Sequence, residues 1–388
     1  MSIASLLPGS MSSGEIQIID PDRGAEILRR HDLLSQFMKE QSFDGLLLTR
    51  PGNFAWATVG GNSTRGSLSD TTAALFVSPD ARVVLTRNTD SGRLFDREVN
   101  GLGFQLKERT WQEDMQLLMG DLCRGRNVAC DFQFERCQDA SPHLDGMRLP
   151  LSKTERTSLR VSGSQVAHAV EATARSFQQG DSEAEIAGQL AHRLYRHQIV
   201  PERIQILADG QGQRYRHWSF GDDKVEKFCT IAVIARREGL HVGAARTVSF
   251  GAPPKEVRKA HLDTLLVQAT GMFFSQDQWE VYETWNRVER IYEKFEHSEE
   301  WHFADQGCVT GYELCEAPIV PQSQLKLAAG MPIFWQSSIE QAMSADTILV
   351  SKKGFDVLTP MENWPVVKVD VKGVSIQRPD VLIRSEET

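Results

Sequence analysis

The sequence predicts two domains, an α/β domain followed by an α+β domain. Strands and helices alternate along residues 21–152, which is typical of α/β folds. Two long amphipathic helices follow, and beyond residue 203 strands and helices occur in separate groups. A length of 388 residues is also sufficient for two packed domains of ordinary size.

The N-terminal domain is predicted over residues 21–152, after a flexible segment at residues 1–20. Its first helix is "GAEILRRHDLLSQFMKEQSFDG", whose apolar residues have helical spacing, and the buried strand "LLLTR" follows. We interpret "PGNFAWATVGGNSTRG" as a loop and "AALFVSPDARVVLTR" as a β-hairpin that turns at Pro79-Asp80. The segment "SGRLFDREVNG" is predicted to be helical, and "RNVACDF" is predicted to be a strand.

The C-terminal domain is predicted over residues 153–388. Its first helix runs to Gly180, and Asp181 opens the second helix, where the helix dipole favours acidic residues. Strands dominate residues 203–250, helices dominate 254–297, and strands and turns fill most of the remainder. On the last helical segment, an aromatic group is expected in the core or at a dimer interface: Trp279, Tyr282, Trp285 and Tyr292.

Composition argues against several classes of partner and location. The net charge is -9 and the longest basic runs are pairs, so nucleic acid is not an expected partner. No apolar run approaches the ~18–20 residues that span a bilayer, and the N-terminus is a poor signal peptide. Six cysteines without secretory features predict reduced thiols and a cytoplasmic protein. Cys123, Cys130 and Cys137 recur every seven residues, which is not zinc-site spacing and is interpreted as chance.

Several segments resemble the creatinase/prolidase/aminopeptidase P family of Xaa-Pro peptidases. They include "NFAWATVGG" in the first half and "GLHVGAART", "GCVTG" and "ADTILVSKKGFDVLTP" in the second, and the resemblance covers essentially the whole chain. It implies a creatinase/prolidase N-terminal-like domain and a pita-bread C-terminal domain. It also implies a homodimer, in which the N-terminal domain of one chain caps the pocket of the other.

The peptidases of this family bind two divalent metals through two Asp, one His and two Glu. In the matching motifs of this sequence, the five positions carry other residues: Ala232, Gly243, Cys308, Gln336 and Ala345. Shifting the first motif by two residues selects Ile234 and Ala245 instead. Divalent metals of this kind need carboxylate or imidazole ligands, so the resemblance predicts a protein without a metal cofactor.

The creatinases hydrolyse their substrate without a metal and use a histidine as a proton shuttle. His217 lies where the family keeps a substrate-facing histidine, and Glu316 is the carboxylate retained in a pocket motif, so both are candidate catalytic residues. Glu316 alternatively pairs with an arginine, and the segment around His217 is alternatively a structural turn. Substrate binding is assigned to six residues: Arg214, Arg216, Arg246, Cys308, Cys315 and Gln336.

Three hypotheses for the function follow. The first is a metal-independent hydrolase or lyase acting on a small amino-acid-like or guanidino compound. Creatine hydrolysis itself is not expected, since the positions of the steering carboxylates map near Ala245 and Gln336. The second is an inactive protein that binds a small molecule, a short peptide or a partner, and the third is an Xaa-Pro peptidase with unrecognised metal ligands. Cys308 or Cys315 acting as a nucleophile is a further alternative to an ordinary buried thiol.

Overall fold

The computed structural model describes residues 20–66 and 70–385, so the predicted flexible segment at residues 1–19 lies outside the described part. The chain divides into two compact units between Leu144 and Asp145. This division precedes the predicted boundary at residue 152, because the connecting residues bond within the second unit. Arg148 forms an ion pair with Glu316, for example, and the backbone N–H of Leu151 donates to the carbonyl of Gly330 at 3.0 Å.

A six-stranded mixed sheet forms the first unit, in the order β4-β3-β2-β1-β5-β6. Its strands are β1 (Gly45–Leu48), β2 (Ala73–Ser78), β3 (Ala81–Arg87), β4 (Gln105–Arg109), β5 (Val128–Cys130) and β6 (Gln138–Asp139). The helices are α1 (Pro21–Gln41), α2 (Pro51–Thr58), α3 (Ser91–Arg93) and α4 (Met115–Cys123), and α5 (Ser141–Met147) contains the division between the two units. A π-helical turn, Leu94–Glu98, follows α3. The helix α1, the strands β1 and β5 and the β2–β3 hairpin confirm the sequence prediction.

The interpretation of residues 51–66 as a loop is wrong in its first half, which forms α2. Pro51 stands at the start of this helix, where its missing N–H costs no intrahelical hydrogen bond, and Gly52 to Thr58 are all buried. The strand β4 and the helix α4 are also absent from the sequence prediction. Both are short and lack a clear apolar period.

The seven-residue cysteine spacing of the first unit has a spatial counterpart. Cys123 ends α4, Cys130 ends β5, and the Sγ atoms of Cys137 and Cys123 lie 3.9 Å apart. Burial raises the pKa of the Cys123 thiol, and it raises the pKa of Cys130 and of Cys137 to about 11. The three residues therefore behave as protonated, mostly buried thiols of a hydrophobic core.

The second unit contains a nine-stranded sheet with the path β11-β10-β12-β13-β9-β8-β7, while β14 pairs with β13 and β17 with β9. These strands are β7 (Val200–Ala208), β8 (Phe228–Arg237), β9 (Leu240–Phe250), β10 (Gly307–Val309), β11 (Ala317–Pro318), β12 (Pro332–Ile339), β13 (Ala342–Ser351), β14 (Gly354–Val357) and β17 (Leu382–Arg384). A separate hairpin consists of β15 (Val366–Val371) and β16 (Val374–Pro379). The helices are α6 (Lys153–Ser176), α7 (Glu183–Tyr195), α8 (Gln211–Arg214), α9 (Lys255–Phe274) and α10 (Val281–Lys294).

The predicted helices and strands of the second unit are confirmed, with small differences at their ends. The helix α6 ends at Ser176 rather than Gly180, and the N-cap of α7 is Ser182, which forms a capping box with Glu185. Of the aromatic group, Trp285 and Tyr292 are core residues that pack with β12, whereas Tyr282 is exposed. The helices α9 and α10 thus cover one face of the large sheet.

Candidate functional site

The positions that the resemblance assigns to the two aspartates lie on the β8–β9 hairpin. Ala232 is paired with Ala245, and Ile234 is paired with Gly243. Alternate residues of a strand share a face, so all four residues lie on one face whichever match is chosen. A side chain at position 243 has no room, because its Cβ would lie 2.6 Å from Phe334 Cε2 and 2.7 Å from the carbonyl oxygen of Val233.

The remaining three positions lie on neighbouring strands. Cys308 is on β10, and Gln336 of β12 is paired with Ala345 of β13. Most of the assigned positions belong to one buried group, which we call the apolar cluster: Leu207, Ala232, Ile234, Ala245, Cys308, Phe334, Met343 and Ala345. The side chains of Trp218 and Leu314 pack against it. Hydrophobic packing therefore occupies this face of the sheet.

The residues at these positions do not fit a pair of divalent metal ions. Ala232, Gly243 and Ala345 have no side-chain donor atom, and Gln336 offers a neutral amide. The interaction with Cys315 and burial raise the pKa of Cys308, which disfavours the thiolate that would bind a metal. Within residues 20–66 and 70–385, no group of three or more His, Cys, Asp or Glu side chains is arranged to hold a metal ion.

A pocket of about 460 Å³ lies in the second unit beside the apolar cluster. Four of the sequence-predicted site residues line it: His217, Cys308, Cys315 and Gln336. Its other lining residues include Arg203 and Asp305, which the sequence analysis did not select, and the apolar side chains of Phe303, Leu314 and Val320. The pocket therefore combines apolar walls with a few polar groups, as small-molecule sites do.

Arg203 and Gln336 form the polar wall of the pocket. The Arg203 Nη2 donates to Gln336 Oε1 at 3.0 Å, and Gln336 Nε2 donates to Gln205 Oε1 at 3.0 Å. The Nε of Arg203 is buried without a hydrogen-bond partner in the described part of the chain. Burial lowers the pKa of Arg203, although Cys308 and Asp305 act in the opposite direction. An arginine remains charged under such conditions, so the pocket holds a cation with unused donor capacity.

The sequence carries a signal for Arg203, although the predicted site omits this residue. Arg203 and Gln205 are two residues apart within the otherwise apolar end of β7. Polar residues with this period face the same side of a strand, and β7 is adjacent to the hairpin that carries the assigned metal positions. The order of the strands, which only the structure supplies, is what makes this pair significant.

His217 lies in the loop between α8 and β8 and lines the pocket as an exposed residue. The loop is attached to β7, because Gln205 Nε2 donates to the carbonyl of Arg216 at 3.0 Å. Among the described residues, no carboxylate bonds to the His217 ring to fix its orientation. The placement is compatible with contact to a ligand, but the orienting partner that a general base usually has is lacking in the described structure.

The arginines beside His217 do not line the pocket. The Nη2 of Arg216 lies 2.6 Å from Glu300 Oε2, and the Arg216 side chain is almost fully buried. Arg214 is exposed, and its guanidinium carbon lies 5.1 Å from the ring centroid of Tyr215. The structure therefore places both away from the substrate-binding role assigned from the sequence.

Glu316 is buried in an ion pair with Arg148 and does not line the pocket. Both side chains are 2% exposed, and the Nε of Arg148 lies 3.1 Å from Glu316 Oε1. Oε1 also accepts from the backbone N–H groups of Tyr312 and Glu313, at 2.9 and 3.0 Å. All these contacts hold the loop between β10 and β11, so the structure supports the pairing alternative over the catalytic one.

Arg246 faces away from the apolar cluster, since its neighbour Ala245 faces toward it. Its Nε lies 3.2 Å from Glu171 Oε1, and its Nη1 lies 3.0 Å from Asp346 Oδ1. Arg378 pairs with the same aspartate, and all four side chains are buried. The assignment of Arg246 to substrate binding is therefore not supported, because the residue joins α6, β9 and β13 inside the core.

Cys308 and Cys315 both line the wall of the pocket. The Sγ of Cys308 donates to the carbonyl of Leu314 at 3.4 Å, and this carbonyl belongs to the peptide that precedes Cys315. The hydrogen bond from Cys308 lowers the pKa of the Cys315 thiol. Cys308 is 8% exposed, whereas Cys315 is exposed. One thiol is thus accessible and more acidic than usual, and the other is buried behind it.

Comparisons with known proteins agree with this architecture. The model of metallopeptidase family M24 matches residues 157–351. The Xaa-Pro dipeptidase of Bacillus anthracis superposes with a TM-score of 0.72 at 15% identity, covering 92% of this chain and 100% of that one. The dipeptidase PepE of Mycobacterium ulcerans gives 0.73 at 15% identity, covering 93% and 98%. No curated protein matches this sequence.

A match of another kind is the N-terminal domain of the FACT complex subunit SPT16 from Cicer arietinum. It gives a TM-score of 0.63 at 12% identity and covers 88% of this chain and 96% of that one. At these identities, the solved structures establish the common fold, with an N-terminal domain and a pita-bread C-terminal domain. Among the described residues, no helix has the length and apolar character needed to cross a bilayer.

Proposed function

Because this chain belongs to metallopeptidase family M24, we propose that it uses the family's fold to bind small zwitterionic ligands, namely amino acids or short peptides, without metal-dependent peptidase activity. The observation that carries the proposal is the apolar cluster at the positions assigned to metal ligands. A dinuclear site needs several charged oxygen ligands at these positions. Packed alanine and isoleucine side chains supply none.

The charges in the pocket support a zwitterionic ligand. Arg203 offers a guanidinium with an unpaired buried Nε, which suits a carboxylate. Asp305 lines the same pocket, and its charge raises the pKa of Arg203, so the two groups interact without forming an ion pair within the described structure. An amino acid has one group for each of them. A guanidino compound without a carboxylate would place a second cation near Arg203 and is disfavoured.

One solved structure adds support for a binding role. The SPT16 domain has the same fold, and it is part of a subunit of the FACT complex. The fold therefore also occurs in a protein that is named for its complex and not for a peptidase activity. A ligand-binding role for this chain is therefore compatible with its fold.

The metal part of the proposal is tested on the purified full-length chain. Elemental analysis follows dialysis against Mn²⁺ or Zn²⁺, and hydrolysis of Xaa-Pro dipeptides is measured with and without the added ions. We expect no stoichiometric metal and no chelator-sensitive hydrolysis. About two metal ions per chain, as in a dinuclear site, together with chelator-sensitive release of the residue before proline would refute the proposal and favour an Xaa-Pro peptidase with unrecognised ligands.

The ligand part is tested by calorimetric titration with a panel of free amino acids and dipeptides. Arg203→Gln is expected to weaken binding of the best ligand by ~10–100-fold, since a charged hydrogen bond contributes about 1.5–3 kcal/mol. Arg203→Lys should retain part of the affinity. Arg214→Gln, which changes an exposed arginine outside the pocket, is the matched control. Equal affinity in the Arg203→Gln variant, or binding that does not require the ligand's carboxylate, would contradict this assignment.

A metal-independent hydrolase or lyase is the second candidate, and the position of His217 in the pocket favours it. The test is to incubate the ligands that bind with the wild-type chain and to look for products by mass spectrometry. Turnover that His217→Ala abolishes, with ligand affinity retained, would establish this activity. Binding without products supports the first proposal instead.

We also propose that the protein is a cytoplasmic homodimer, as the family resemblance implies. Light scattering coupled to size-exclusion chromatography tests the oligomeric state, because one chain has a mass of 43.5 kDa. A single species of twice this mass is expected. A monomer over the whole measured concentration range would exclude a stable dimer.

A further inference from the structure

The thiol pair at the pocket wall differs from the other cysteines of the described chain. Cys308 belongs to β10, and Cys315 lies in the loop that leads to β11. The two strands pair directly, with Val309 opposite Ala317, and the backbone N–H of Glu316 donates to the carbonyl of Val309 at 2.8 Å. The loop is therefore held on both sides. The paired strands bring both cysteines to the same wall of the pocket, and Cys308 Sγ lies 3.4 Å from the carbonyl oxygen of the residue before Cys315.

Accessibility distinguishes the two members of the pair. Cys315 is exposed at the pocket, and the neighbouring Cys308 thiol lowers the pKa of the Cys315 thiol. Cys308 is almost fully buried behind it, in the apolar cluster. An accessible thiolate is a nucleophile, whereas a buried thiol reacts only with a partner that is brought to it. This arrangement suits Cys315 as the attacking thiol and Cys308 as the second thiol that reacts with it.

The thiols of the first unit provide an internal comparison. Cys123 and Cys137 are also in contact, with 3.9 Å between their Sγ atoms. Burial raises the pKa of both, however, and Cys123 is buried while Cys137 is half-buried. Proximity alone therefore exists at two places in the described chain, but proximity with an accessible, acidic thiol exists only at Cys315.

We propose that Cys315 and Cys308 form a thiol–disulfide exchange centre that reacts with small disulfides such as oxidised glutathione. Cys315 acts as the attacking residue and Cys308 as the resolving residue. The proposal goes beyond ligand binding and does not depend on it, because the reaction requires only the two thiols and access to the pocket.

The exchange proceeds in two balanced steps. The Cys315 thiolate attacks one sulfur of the small disulfide, the bond between the two sulfurs of that molecule breaks, and one glutathione thiolate leaves. The departing glutathione thiolate takes the proton of Cys308. The Cys308 thiolate then attacks Cys315 Sγ, and this attack releases the second glutathione. The protein loses two hydrogens and two electrons, and the small disulfide is reduced to two thiols.

The product changes the pocket itself. Both cysteines line it, and Cys308 also contributes to the apolar cluster. A bond between the two sulfurs withdraws both thiols from the lining and ends the hydrogen bond from Cys308 to the carbonyl of Leu314. The pocket therefore has a reduced and an oxidised form with different walls.

The test uses the purified, fully reduced chain, which has six thiols. The chain is incubated with excess oxidised glutathione at neutral pH and analysed by intact mass, thiol titration and peptide mapping. We expect the mass to fall by two hydrogens, two of the six thiols to disappear, and the peptides containing Cys308 and Cys315 to be linked. Dithiothreitol should restore all six.

Two variants separate the proposed roles. Cys308→Ser should trap the first step as a stable glutathione adduct on Cys315, whereas Cys315→Ser should leave Cys308 unmodified. Cys137→Ser is the matched control, because it removes the other thiol contact and should leave the reaction unchanged. If Cys308→Ser does not fold, Cys308→Ala replaces it, and circular dichroism verifies the fold of each variant.

Other outcomes would overturn the proposal. These are a linkage between Cys123 and Cys137 that forms first, a wild-type chain that retains a glutathione adduct, or six unreacted thiols after prolonged incubation. None of these results bears on whether the pocket binds amino acids, which is measured without oxidant. The two proposals can therefore fail separately.

Discussion

Glu316→Gln tests whether this carboxylate stabilises the fold or serves the pocket. The substitution keeps the shape of the side chain and removes its charge. Glu316 and Arg148 are each 2% exposed, so the variant leaves a buried guanidinium without its main counter-ion. Breaking a buried ion pair costs about 3–5 kcal/mol.

Two contacts reduce this cost. The glutamine oxygen can still accept from the backbone N–H groups of Tyr312 and Glu313, and Asp145 remains 2.8 Å from Arg148 Nη2. Asp145 is 41% exposed and therefore a weaker partner. We expect a loss of roughly 2–4 kcal/mol. For a unit of this size, each kcal/mol lowers Tm by about 2–4 °C, which gives a fall of ~5–15 °C.

Thermal unfolding followed by circular dichroism, with calorimetric titration of the best ligand, measures both properties. Glu293→Gln, which changes an exposed carboxylate on α10, is the control and should leave Tm unchanged. The Glu316→Gln variant should bind the ligand normally below its Tm. Unchanged stability with lost binding would refute the structural role of Glu316 and restore it as a residue of the pocket.

Three further predictions concern packing, pH and the buried charges. Gly243→Asp should lower the free energy of unfolding in urea by roughly 3 kcal/mol or more, because its Cβ would overlap Phe334 and its charge would be buried. Gly188→Asp is the control, since a Cβ at that position meets nothing within 4 Å. Equal losses in the two variants would contradict the prediction. Burial lowers the pKa of His241 and of His261 from 6.5 to about 4. Between these values the unfolded chain binds protons that the folded chain does not. The free energy of unfolding should therefore decrease as the pH falls from about 6.5 to about 4. His241→Asn should flatten this pH dependence, and an identical slope in the variant would exclude the histidine as its source. Arg246→Met should cost about 3–5 kcal/mol, since it leaves the buried Glu171 with only the partly exposed Arg175 as counter-ion and leaves Asp346 with Arg378 alone. Ligand affinity below Tm should stay constant, and a loss of affinity with unchanged Tm would show that Arg246 serves the pocket instead.

The sequence predicted the fold well where local patterns are strong. The helices α6 and α7 have capping boxes and an apolar face, and the hairpin β2–β3 has a Pro-Asp turn, so each is specified by neighbouring residues. The helix α2 was not recognised because its residues are buried all round, which removes the amphipathic period.

The site was less predictable because it depends on contacts between distant residues. Period-two alternation within β9 already separates Ala245 from Arg246, yet only the pairing with β8 and β13 shows which face is the apolar cluster. Likewise, nothing near Glu316 indicates that Arg148, more than a hundred residues earlier, is its partner. Arg203 became a candidate only when β7 was found beside the hairpin.

The apolar cluster has a consequence for how this protein matures. In a protein whose core is completed by bound ions, folding depends on ligand deprotonation and on ion supply, and chelators lower its stability. Here the side chains of β8, β9, β12 and β13 contact one another directly across the same face. Under the proposed function without a metal, newly synthesised chains would need no loading step to complete this packing. The fraction of correctly folded protein should therefore stay constant in cells starved of transition metals.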